Sequence, residues 1–124
     1  MVRTIAFIFG ILFLIGGILG FMPAYAPNGM LVGCFYVNPA HNLIHLITGI
    51  IFLVVACKGL CATKIFFKIF GIIYVIVALL GLYYGDQPIL GIIANNSADV
   101  GLHFVTGIIA LLLGFGCEGK HTCA

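Results

Sequence analysis

His41, Asn42, His45 and Thr48 stand in one apolar stretch of the chain, and Asp99, His103 and Thr106 in another. His41, His45 and Thr48, and likewise Asp99, His103 and Thr106, follow the intervals i, i+4 and i+7, which bring them to one face of a helix. Helices present transition-metal ligands at such i, i+4 pairs. His41, His45, Asp99 and His103 therefore form one candidate metal set, and His45 with His103 could ligate a haem from its two faces. The plainer reading is interhelical hydrogen bonding, His45 or His103 to Thr48, Thr106, Asn42 or a carbonyl. On that reading no cofactor is bound, and a metal ion or haem is the alternative. Asp99 is expected to pair with a histidine across the two stretches.

A second cluster consists of Cys57, Cys61, Cys117, His121 and Cys123. Thiolates with an imidazole could hold zinc or copper(I). The spacings C-x-x-x-C and C-x-x-x-H-x-C match no standard zinc pattern, and the thiols are expected to be reduced.

The two polar stretches are copies of one another. NPAHNLIHLITGIIFL (Asn38–Leu53) returns 58 residues later as NNSADVGLHFVTGIIAL (Asn95–Leu111). Asn38 maps on Asn96, His45 on His103 and Thr48 on Thr106, while His41 is answered by Asp99. A second echo, offset by 61, matches FGILFLIGGILG (Phe9–Gly20) with FGIIYVIVALLG (Phe70–Gly81) and Arg3 with Lys64. The chain thus reads as one membrane domain, with unit one over 1–60 and unit two over 61–124. Each unit holds two spans, so a pseudo-two-fold axis along the membrane normal should relate them.

Lipid is the implied solvent. Of 124 residues, 64% are hydrophobic and 6% charged, against about a quarter charged in soluble domains. Apolar runs cover Thr4–Phe21, Leu43–Cys57, Ile65–Tyr83 and Val100–Phe115. Asn38-Pro39 is a helix start, an N-cap followed by proline at the first helical position. Asn96 or Ser97 can cap the last run likewise, leaving Asp99 in the first turn, where a carboxylate suits the helix dipole. Arg3, an apolar run and Ala24-Tyr25-Ala26 imitate a cleavable signal peptide, but the echo with Phe70–Gly81 and the ill-placed Pro27 favour a retained span. The fold expected is an all-α, antiparallel four-helix transmembrane bundle made of two repeated helical hairpins. The loops Met22–Asn38 and Tyr84–Ala98 contain apolar segments too short to span, expected at the membrane surface or over the bundle mouth.

All five basic residues, Arg3, Lys58, Lys64, Lys68 and Lys120, fall on one side of this topology. The positive-inside rule makes that side, with both termini, cytoplasmic. The small net charge of +2 is accounted for by topology and calls for no nucleic acid. No span carries the embedded glutamate of small multidrug exporters, and there is no Walker loop or nucleophile elbow.

At HNLIHLITG, ADVGLH and FGIIYVIVALLG the chain resembles a bacterial four-span membrane family catalogued as domain of unknown function 4383. The resemblance covers nearly everything but the cysteine-bearing tail, and its most specific part is H-N-x-x-H with A-D-x-x-x-H. It implies the four-span fold and a bacterial inner membrane, and supplies no activity. The family carries a polar residue after the aspartate, where Val100 stands here, so a polar contact is expected to be missing. The function expected is a non-enzymatic scaffold or accessory subunit, in contact with lipid and with other membrane subunits or itself. The alternative is an electron or ion carrier using the histidine stripe.

Overall fold

The structure, a computed structural model, describes residues 1–116 and Cys123. Four helices carry it: α1 (Val2–Gly20), α2 (Pro39–Lys58), α3 (Leu60–Tyr84) and α4 (Ser97–Phe115). All four are long and apolar enough to cross a membrane, and in lipid a helix satisfies its own backbone. The protein is a mostly helical, multi-pass membrane bundle, as the sequence leads one to expect. The starts follow the capping logic. The Asn38 side chain accepts from the His41 N–H ahead of Pro39, and Asn96 accepts from the Asp99 N–H while Asp99 accepts from the Asn96 N–H. This reciprocal pair satisfies two otherwise orphaned donors at the start of α4.

α1 packs chiefly on α2, and α3 on α4. The same contacts recur in both hairpins at the two sequence offsets. Gly10 lies against Leu53, and Gly71 against Leu111; Gly49 lies against the Gly10 carbonyl and Leu14, and Gly107 against the Gly71 carbonyl and Val75. Small residues let the paired backbones approach, the usual basis of helix association in lipid. Between the hairpins runs an aromatic core of Phe9, Phe13, Phe52, Phe67, Phe70 and Tyr74. Bulk is traded across the units: Ala6 and Phe52 in one correspond to Phe67 and Ala110 in the other, and all four are fully buried.

At the end carrying Arg3, Lys58, Lys64 and Lys68, basic groups meet exposed helix carbonyls. Arg3 Nε donates to Ala56 O, and Lys64 Nζ to Gly116 O, a favourable place for cations on the helix dipole. Thr63 Oγ1 donates to Val55 O and Gly59 O, closing the tight α2–α3 connection. One expectation is corrected here. Cys61 is joined to Cys123 by a disulfide, so these two thiols are neither reduced nor free to bind metal. The bond joins Cys123 to the start of α3 across 62 residues of sequence. Cys57 is free and exposed, and Cys117 and His121 lie outside the described residues.

At the opposite end each connecting loop folds into a small turn over the bundle mouth. In the first, β1 (Met30–Leu31) pairs antiparallel with β2 (Phe35–Tyr36); in the second, Ile89 bridges Ile93. The tips match residue for residue. Val32 and Gly33 have φ of 47° and 71°, and Leu90 and Gly91 have 54° and 71°. Two successive left-handed residues are what a tight hairpin of this kind requires, with glycine at the second place. The three residues by which the loops differ precede the turn, where the first loop alone carries the short helical turn Pro27–Gly29.

Candidate functional site

The first turns of α2 and α4 begin under these two hairpins, and the hairpins are tied together by a reciprocal exchange. Asn38 Nδ2 donates to Ile92 O (2.8 Å), and Asn96 Nδ2 to Cys34 O (2.9 Å). Ile92 is the counterpart of Cys34 at the offset of 58 residues, so each capping asparagine grips the same point on the other unit's hairpin. The next pair inward is also matched but chemically inverted. His41 Nδ1 lies 2.9 Å from Ala94 O, and Asp99 Oδ2 accepts from the Tyr36 N–H at 3.1 Å. Tyr36 and Ala94 are counterparts. A base meets a carbonyl on one side of the pseudo-axis, and an acid meets an N–H on the other.

This corrects the expected pairing of Asp99 with a histidine. Asp99 is buried, 2% exposed, yet its hydrogen-bond partners are the backbone N–H groups of Asn96 and Tyr36. The reason is local. A carboxylate at the third helical position curls back to the helix start, which aims it at the hairpins and away from the bundle axis where the imidazoles gather. The acid–base swap between the units does complement, through the backbone of the opposite hairpin.

The three imidazoles converge. His41 Nε2 and His45 Nε2 are 3.2 Å apart, the His41 and His103 rings stack at 6.0 Å, and one ligand atom from each of the three lies within 4.8 Å of the others. Among the described residues Asp99 is not part of this group. Because a carbonyl only accepts, the contact with Ala94 O fixes the proton of a neutral His41 on Nδ1, leaving its Nε2 lone pair turned toward His45. Among the described residues, the buried His103 Nδ1 has no hydrogen-bond partner. Each symmetry-related imidazole rests edge-on against a ring, His45 on Phe13 at 5.0 Å and His103 on Tyr74 at 5.1 Å, and Phe13 and Tyr74 are themselves counterparts. The His41 ring lies beside both of the other imidazoles, its centre 4.7 Å from that of His45 and 6.0 Å from that of His103.

Two clefts flank the cluster and are likewise equivalent. One, of about 440 Å³, lies between α1 and α4 under the first hairpin, with Leu12, Leu102 and Thr106 in its walls. The other, of about 310 Å³, lies between α2 and α3, with Ile44, Thr48 and Ile73. All three histidines line both, whereas Asp99 lines only the first. Thr48 and Thr106 thus border the site; they are two of the several partners the plainer reading offers His45 or His103, and among the described residues neither is hydrogen-bonded to an imidazole.

Asn42 is 2% exposed and packs its side chain against Gly20, away from the histidines. Its counterpart Val100 packs against Gly81. The polar contact expected to be missing there comes from another residue, Asn95, whose Nδ2 donates to Gly81 O and Gly85 O at the end of α3. Asn95 corresponds to Val37, so one unit carries Asn and Val where the other carries Val and Asn. Asn95, Phe13 and Tyr74 went unmarked in the sequence reading. The available signal was the repeat itself, which pairs Asn95 with Val37 beside the polar stretch and Phe13 with Tyr74.

No curated protein matches the chain, and no solved structure does. A family model does match, over residues 3–116, spanning the four helices and every histidine of the cluster. By that match the chain belongs to the family described as Domain of unknown function (DUF4383).

Proposed function

We propose that this protein is a non-enzymatic membrane subunit that acts through its lipid-facing helix flanks, on other membrane proteins or on a second copy of itself. The observation that supports this reading is the closure of the loop end. The two hairpins are hydrogen-bonded to each other across the bundle mouth through Asn38 and Asn96, which leaves a water-soluble substrate no open approach from above. What the fold presents is apolar helix surface, with Ile8, Ile47, Ile76 and Val105 each about half exposed on successive helices. A photocrosslinking side chain placed at these four positions, one at a time in intact cells, tests the reading. The expected result is a discrete protein adduct from one flank and lipid adducts from the rest. Lipid adducts alone from all four would overturn it. The carrier reading has its own observation in its favour, the convergence of the three imidazoles.

For orientation, two physical arguments point in opposite directions. Arg3, Lys58, Lys64 and Lys68 share one end, which favours placing that end in the cytoplasm. The Cys61–Cys123 disulfide at the same end is the kind of bond that persists in oxidising compartments. We give the greater weight to the charges, because they act during insertion. An impermeant maleimide applied to intact cells is then expected to modify exposed Cys34, at the hairpin end, and to spare exposed Cys57. The opposite labelling pattern would reverse the orientation and put the disulfide outside.

A further inference from the structure

We propose that His41, His45 and His103 form a binding site for one late first-row transition-metal ion, of the zinc or copper class, held by three imidazole nitrogens without Asp99. Three observations converge on this. The ligand atoms of the three rings lie within 4.8 Å of one another. His41 Nε2 and His45 Nε2 are 3.2 Å apart, close to the ~3.3 Å that separates two nitrogens each about 2.0–2.1 Å from a tetrahedral ion. His103 Nδ1 is buried and, among the described residues, unpartnered, a state that costs about 1–3 kcal/mol when nothing satisfies the atom.

The surroundings fit the same reading. Metal-bound histidines commonly donate their other ring N–H to a carbonyl, which fixes the tautomer and the ring orientation. His41 does this toward Ala94 O. Phe13 and Tyr74 hold the other two rings edge-on, so all three imidazoles are positioned by contacts outside the cluster. Imidazole donors without thiolate suit zinc, copper or nickel better than magnesium or calcium. Asp99 sits one helical turn from His103 and lines one cleft. Its Oδ2 is engaged by two backbone N–H groups and the carboxyl lies outside the group of mutually close ligand atoms, so it is a neighbour of the ion rather than a ligand.

The test uses the full chain purified without a polyhistidine tag and titrated with Co²⁺ as a spectroscopic probe for zinc. The expected result is one Co²⁺ per chain, with visible bands of a low-coordinate site and no thiolate charge-transfer band. X-ray absorption of the wild-type complex should show nitrogen ligands with imidazole outer-shell scattering, a readout that depends on no variant. Both His45→Ala and His103→Ala should weaken binding by about a hundredfold or more, while Asp99→Asn should cost about tenfold at most, the low end for groups outside the ligand set. Three outcomes would overturn the proposal. The first is folded wild-type protein that takes up no Co²⁺. The second is a sulfur-ligated spectrum, which would assign the metal to the cysteines. The third is an Asp99→Asn loss as large as that of the histidine variants.

Discussion

Gly49→Ala is expected to be among the most damaging single-methyl changes in the described residues. In a helix interior this substitution ordinarily stabilises by about 1 kcal/mol, so any loss measures the contact it creates. A Cβ at Gly49 would lie 2.8 Å from Gly10 O and 3.0 Å from Leu14 N. Both are backbone atoms of α1 and cannot rotate away, so the whole helix must shift. The shift would also loosen Gly17 on Leu46 and Gly10 on Leu53, along the same seam. Overpacking of this kind costs about 1–3 kcal/mol and at times more. The counterpart Gly107→Ala meets its neighbours at 3.0–3.3 Å and should lose less. Gly101→Ala meets nothing within 4 Å and should be neutral or slightly stabilising. Thermal unfolding in mild detergent ranks the three, and a Gly49→Ala protein as stable as wild type would refute the close approach of α1 and α2.

Loss of the asparagine exchange is expected to be the second large effect, and a coupled one. Asn38→Ala removes a cap, about 1 kcal/mol, together with the bond to Ile92 O; Asn96→Ala removes a cap and the bond to Cys34 O. With a further hydrogen bond of about 0.5–1.5 kcal/mol, each should cost roughly 1–3 kcal/mol. Both substitutions release the same union of hairpins, so the double variant should cost less than the sum. Serine at either place keeps a capping oxygen but lacks the amide donor, which separates cap from latch. Hydrogen exchange at the Tyr36 amide, bonded to Asp99 Oδ2, reports opening of the mouth directly. Strict additivity, with Tyr36 equally protected in all variants, would mean that the hairpins are not held by this exchange.

Much of the architecture was legible because lipid imposes few solutions. Apolar runs of spanning length, with Asn-Pro and Asn-Ser at helix starts, gave the four helices to within a few residues. Letters repeated at offsets of 61 and 58 became contacts repeated at the same offsets, since equal side chains on equal backbones find equal partners. The gathering of His41, His45 and His103 was also within reach of helical spacing plus repeat symmetry. Spacing gives a face, and symmetry turns the two faces toward one axis.

What spacing does not give is where a side chain goes once it can choose between a distant partner and its own backbone. Asp99 lies on the same face as His103 by count, but at the third helical position the N–H groups of Asn96 and Tyr36 are closer than any imidazole. The sequence alone determined a membrane bundle with a polar stripe near one end of α2 and α4. Tertiary structure decided how that stripe divides: the acid goes to the hairpins, the three bases to the bundle axis, and Asn95 to the end of α3. The placing of Asp99, His41 and Asn95 turns on backbone donors or acceptors within about 3 Å, since hydrogen bonds in lipid must be made within the protein.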